Sequence, residues 1–278
     1  MKKIITATAM ATIFASQVFA SEVYIDQVGG ALNVDILQEN GANRVNTESN
    51  PMTVNGNDID VTIVQSGDGN EADLQIESGA SSTTLSYSAT GDMNLLYGEI
   101  YGGLTNTFTT IIIGSDNVLT YCKDYTNSAC NGIIVDNTTT TVNITGNNND
   151  LNLALDSADS TNTFDIGQNT PSDLNETNLT QISAGGYDVV TMTLDGDSNI
   201  TNLTQNTIGG NNQMIMDITG SSNAITVDQT SAAGYDEFNM TLIGSNNAIV
   251  VDQQTAMGYT YVNMGVTGDS NTIDILQN

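Results

Sequence analysis

The side chains in this 278-residue sequence that recur at fixed spacing and could do chemistry together are amides. Gln181, Gln205, Gln229, Gln253 and Gln277 stand 24 residues apart, and six residues before each is an asparagine: Asn175, Asn199, Asn223, Asn247 and Asn271. A lone buried amide is costly, but an amide both donates and accepts. Identical amides stacked one above another therefore bond in a continuous ladder. Other chemistries are poorly served. The chain has no histidine for a triad or for acid/base work, and its aspartates fall at turns, where a structural role is expected. Two carboxylates suffice for a glycosidase, yet the folds that would host one have no need of identical amide ladders. The expectation is a protein that is not an enzyme and has no catalytic residues.

Metal chemistry is also weakly supported. Turns such as Gly196-Asp197-Ser198-Asn199 offer the oxygen ligands that calcium takes, but the Gly-Gly-x-Gly-x-Asp nonapeptide pattern is absent. A structural role outweighs calcium, and no metal or cofactor is expected. Cys122 and Cys130, with seven residues between them, point to a disulfide closing one small loop in an exported chain, with a pair of free thiols as the alternative.

The amides must be positioned by something with their own period. Met192, Met216, Met240 and Met264 keep the 24-residue step, as do Leu194, Ile218, Leu242 and Val266 two residues later and Gly196, Gly220, Gly244 and Gly268 after those. A fixed period in this range marks a stacked repeat, each unit burying its apolar side against its neighbours. Within a unit, Phe238, Met240 and Leu242 alternate with polar residues before the turn Gly244-Ser245-Asn246-Asn247. Ile249, Val251 and Gln253 alternate after it. That is strand, turn, strand, with glycine for positive φ and Asn, Asp or Ser for local hydrogen bonds. Parity places Asn247, Ile249, Val251 and Gln253 on one face, and the apolar members mark it as the inside.

Taken in order, residues 1–20 read as a secretory signal: Lys2 and Lys3, an apolar run, then Val18-Phe19-Ala20 before Ser21. The mature chain, 21–278, keeps two basic residues, Arg44 and Lys123, against 32 acidic ones. This balance excludes nucleic acid as a partner, and no later segment is apolar enough for membrane insertion. The acids are expected on turns and outward faces. A first rung is expected at Val23, Ile25 and Gln27, a turn at Gly29-Gly30, then Val34, Ile36 and Gln38. Residues 39–57 read as a loop insertion and 122–137 as a cysteine-containing loop. Further turn glycines are Gly67, Gly91, Gly114 and Gly146. The count comes to about ten rungs, a body on the order of 50 Å long. The chain stops on the last residue of a repeat, so an open strand edge is expected there. An ice-binding solenoid would show a flat outward array of regularly spaced threonines; Thr138 to Thr141 is a local run that does not recur.

The segment Gln65-Ser66-Gly67-Asp68-Gly69-Asn70-Glu71-Ala72 resembles the curlin repeat of bacterial curli fibres, whose pattern is roughly Ser-x5-Gln-x-Gly-x2-Asn-x-Ala-x3-Gln. It places Gln75 one residue early. The C-terminal copies keep the Gly-x2-Asn and the final Gln. They carry Leu194, Ile218, Leu242 and Val266 at the first Gln, and Asp188, Asn212, Asp236 and Thr260 at the Ser. The resemblance implies an all-β solenoid of strand-turn-strand rungs with curli-like cross-β stacking, and an amide ladder that includes Asn70. It also implies a secreted cell-surface fibre subunit of a bacterium, acting in adhesion and biofilm matrix. Its partners would be copies of itself or a second curlin-like subunit, and an outer-membrane export machinery. The alternative is a secreted solenoid adhesin or matrix protein that does not polymerise.

Overall fold

The computed structural model describes residues 3–5, 11–16, 22–39, 41, 43–46, 52–78, 82–91, 93–101, 105–114, 116–121, 133–134, 138–145, 150–156, 160–167, 176–183, 186–195, 200–207, 210–220, 222–244, 246–268 and 270–278. Every described strand pairing is parallel, and the chain winds as a β-solenoid with two stacks of strands. The leading stack holds the strands before each turn, among them Ser82–Thr90, Thr105–Ile113, Thr138–Thr145, Gly210–Thr219, Gly234–Ile243 and Gly258–Thr267. The trailing stack holds those after it, among them Glu71–Ser78, Leu95–Tyr101, Ala224–Ser231, Ala248–Thr255 and Thr272–Gln277.

The alternation that marks these segments as strands also builds the core. In Gly234–Ile243 the inward residues Phe238, Met240 and Leu242 are buried while Tyr235, Thr241 and Ile243 face out. The register carries each onto its counterpart one rung away: Met216 onto Met240 onto Met264, Ile249 onto Ile273. The inward faces of both stacks merge into one apolar cluster. Rungs stack about 4.8 Å apart, so a column of like residues packs as a continuous ridge.

The N-terminal part departs from the expected boundaries. Glu22–Glu39 is one continuous strand in which Gly29 sits in register with Gly56. The expected turn at Gly29-Gly30 is therefore a link between successive rungs. Val23 belongs to the trailing stack, paired with Val45, and Val34 to the leading stack, paired with Val61. The expected loop 39–57 is largely ladder: Arg44 and Val45 pair with Glu71 and Ala72, and residues 52–56 pair with 74–78. The Arg44 guanidinium meets Glu71 at 2.6 Å across one rung. Ile133 and Ile134, inside the expected cysteine loop, resume the trailing stack between Ile100 and Leu155. Lys3–Ile5 and Ala11–Ser16, within the stretch read as a signal, pair in parallel with residues 23–25 and 34–39 of the full-length chain. Among the described residues no helix is long and apolar enough to cross a membrane.

Candidate functional site

The amide columns are built by register. Strands 24 residues apart bring each glutamine over its counterpart, and the side chains join end to end. Gln205 Nε2 donates to Gln181 Oε1 at 3.2 Å, Gln229 to Gln205 at 2.8 Å, Gln253 to Gln229 at 2.7 Å and Gln277 to Gln253 at 2.9 Å. Gln181, Gln205, Gln229 and Gln253 are buried. The ladder also ties the two stacks together: Gln253 Nε2 donates to the Tyr261 carbonyl at 3.3 Å, and Gln229 to that of Glu237 at 3.5 Å. All five predicted glutamines thus share one file.

The predicted asparagines divide. Asn223 and Asn247 are buried, and the Asn223 backbone N–H donates to Asn247 Oδ1 at 3.1 Å. Asn271, on the terminal rung, donates to the Gly268 carbonyl at 3.3 Å. Asn70 belongs to a second ladder that the 24-residue count leaves incomplete. Asn43 Nδ2 donates to Asn70 Oδ1 at 3.1 Å, Asn70 to Asn94 at 2.8 Å, and Asn94 to Asn117 at 2.9 Å. A short glutamine file accompanies it, Gln65 donating to Gln38 at 2.9 Å and capped by the Tyr87 hydroxyl at 2.9 Å. The signal that could have found Asn43 is its place five residues after Gln38, matching Asn70 five after Gln65; a 27-residue spacing hid it. Asn175, Asn199, Gly146, Gly196, Cys122 and Cys130 lie outside the described residues.

In the apolar file Met192, Met216, Met240, Leu194, Ile218 and Leu242 are buried, while Met264 and Val266 on the last described rung are partly so. The turn glycines Gly67, Gly91, Gly114, Gly220, Gly244 and Gly268 all take positive φ. Gly244, at φ 156°, shows why nothing larger fits, since an added Cβ would lie 1.5 Å from the Gly220 carbonyl oxygen.

One expectation is corrected inside the core. The acids do not all face outward: Asp73, Asp188 and Asp236 are buried. Asp188 and Asp236 share a leading-stack column with Asn212 between them, because parity there is set by the apolar residues that follow, Val190 and Phe238. Asn212 Nδ2 donates to Asp236 Oδ1 at 2.9 Å, while Asp236 Oδ2 has no hydrogen-bond partner. Desolvation holds the Asp236 carboxyl above its ordinary pKa, and the Asn212 bond pulls it part of the way back. The neighbours of Asp236 in register, Asn212 and Thr260, carry no charge. Beside this corner runs an open groove of about 390 Å³ lined by polar residues including Thr207, Ser231, Thr255 and Asn278.

The terminal rung lacks the cover that every preceding described rung receives. Ile273 and Ile275, in register with the buried Ile249 and Val251, are 43% and 42% exposed. Among the described residues no group of three or more His, Cys, Asp or Glu side chains gathers. Fold and interior together define a parallel β-solenoid held by amide and aliphatic ladders. Compared with family models, with curated proteins and with solved structures, the chain finds no match.

Proposed function

We infer that this protein is a structural subunit that stacks end to end into a curli-like fibre. It would be exported by the signal in residues 1–20 and act at the bacterial surface in adhesion and biofilm matrix. The observation that carries this reading is the glutamine ladder, which repeats under one rung translation from Gln181 to Gln277. A next rung of the same kind, supplied by a second copy, would continue the ladder and cover Ile273 and Ile275. Contacts of this heterologous kind propagate without closing. The partner is thus the protein itself or a subunit with the same repeat, delivered through an outer-membrane export machinery. A role in structure accounts for the residues without any catalytic centre.

The test is electron microscopy of residues 21–278 incubated at micromolar concentration while the pH is lowered in steps. Unbranched fibres are expected, and Ile275→Lys on the terminal strand should abolish them while the monomer stays folded. Dispersed particles about 50 Å long under every condition would overturn the reading. One observation favours the non-polymerising adhesin instead: Asp228 and Asp252 lie in register one rung apart on the outside. Like charges at that distance repel by about 1 kcal/mol in water. Acid or salt removes this repulsion, so the pH series separates the two readings.

A further inference from the structure

The outward face of the leading stack carries a feature that spacing along the chain conceals. Thr84, Thr107 and Thr139 fall in one register column, and Ser86, Thr109 and Thr141 fall in the next. The pairings carry both columns one rung further, to Thr161 and Thr163. The sequence separations between rungs are irregular, which is why Thr138 to Thr141 reads as an isolated run. In the fold that run is one row of a two-dimensional hydroxyl array, and the expectation that it does not recur is corrected.

Three observations describe what this array can meet. All six side chains on its first three rungs alternate with buried residues and reach solvent. Its dimensions are fixed by the backbone: neighbouring hydroxyls stand about 4.8 Å apart across rungs and about 6.6 Å apart along each strand. The spacing across rungs is close to the shorter repeat of the ice lattice, and the spacing along the strand falls somewhat short of the longer one. The first three rungs of the array are also free of charge, the nearest acids in register being Asp60 beside Thr84 and Asp165 beside Asn143. The chain has 32 acids against 4 bases, yet the outward positions of Ser82–Thr90 and Thr105–Ile113 hold only Ser, Thr and Ile. Residues 139–145 of the next strand add only Thr and Asn. An uncharged array of fixed spacing matches an uncharged lattice of hydrogen-bonding groups and offers no charge to attract ions or polyelectrolytes.

We propose that this threonine-rich face of the leading stack is an ice-binding surface. Threonine suits the task because its branched side chain is stiff at χ1, so hydroxyl and methyl are held in place before the ligand arrives. Ordering costs that would oppose adsorption are already met by the fold. Hydroxyls spaced near the lattice repeat anchor waters in lattice positions, and the methyl groups fill the gaps between them. The surface lies on each single chain, so the proposal stands independently of fibre formation.

The experiment is ice-crystal morphology and thermal hysteresis with the full chain, compared with Thr139→Lys, Thr107→Lys and the control Asp217→Lys. Asp217 sits on the outward face of the same stack beyond the array. Far-UV circular dichroism and melting accompany each variant, and the two threonine sites are changed singly so that one misfolded variant leaves the other. The expected result is faceted crystals and measurable hysteresis for the full chain and Asp217→Lys. Both signals should be lost in folded Thr139→Lys or Thr107→Lys. Round crystals with the folded full chain, equal faceting from the threonine variants, or loss of faceting in Asp217→Lys would overturn it.

Discussion

One column at the end of the trailing stack reads Val54, Ile76, Ile100, Ile133 and Leu155 in the N-terminal half, then Gln181, Gln205, Gln229, Gln253 and Gln277 in the C-terminal half. At the end of the leading stack the order reverses. Gln38 and Gln65 lie in register with Ala89, Ile112 and Ile144, and further on with Leu194, Ile218, Leu242 and Val266. Two early rungs carry amides at the leading corner and five late rungs carry them at the trailing corner; between them, from Ala89 to Ile144 and from Ile100 to Leu155, both corners are aliphatic, while the rung is unchanged. The comparison teaches that the fold requires each column to be uniform over several rungs, not to be of one chemical type. Amide over amide is satisfied and aliphatic over aliphatic is packed. The mismatch between the two is confined to a junction such as Leu155 beside Gln181.

Both halves depend on the same turn glycines, so the largest effect should come there and fall on either half. Gly244→Ala forces a Cβ against the Gly220 carbonyl at a positive φ. The loss should be about 2–6 kcal/mol, read by urea unfolding; Gly91→Ala should behave alike, its Cβ meeting Gly67. Next comes the test of column uniformity. Gln229→Leu alone should cost about 1–3 kcal/mol for each of the two amides it deprives of a partner. Changing Gln181, Gln205, Gln229, Gln253 and Gln277 together to leucine, which copies the N-terminal half, should return stability to within about 1 kcal/mol of wild type. A five-fold variant weaker than the single one would end the argument from uniform columns.

A smaller effect belongs to the buried acid of the C-terminal half. Because burial raises the Asp236 pKa, folding favours its protonated form. That stabilisation is full below the unfolded-state value of about 3.9 and is lost as pH rises through the folded-state value. Melting temperature should therefore fall across that window, even in high salt, and Asp236→Asn should flatten the curve. Asp150 shifts in the same direction, through desolvation and then the repulsion of Glu176 in register beside it. Smallest of all, Asp228→Asn should change monomer stability by less than about 1 kcal/mol. Its effect, unlike that of Asp236, should vanish on adding salt.

The C-terminal ladders were legible because four residue types share one step, and a parallel stack turns a fixed step into direct contact. The N-terminal ladder was not, because Asn43, Asn70, Asn94 and Asn117 are separated by 27, 24 and 23 residues. The outward threonines were hidden for the same reason. Asp188 and Asp236 were misplaced because charge alone suggested the outside, whereas the strand's parity, set by Val190 and Phe238, turned them in. Local rules placed the strands; register, which no single strand contains, decided what met what.

That separation of register from spacing has a use. Tyr121 pairs with Leu153 and Ile133 with Leu155, so eleven residues of sequence fall where the neighbouring strand has one, and Ile133 still lies between Ile100 and Leu155. Val45 likewise pairs with Ala72 and Met52 with Leu74, six residues of sequence falling where the neighbouring strand has one. The scaffold therefore has natural graft points. A foreign peptide or small domain spliced there would leave the ladders on either side intact and, were chains to stack, would be displayed once per copy along the outside of the assembly.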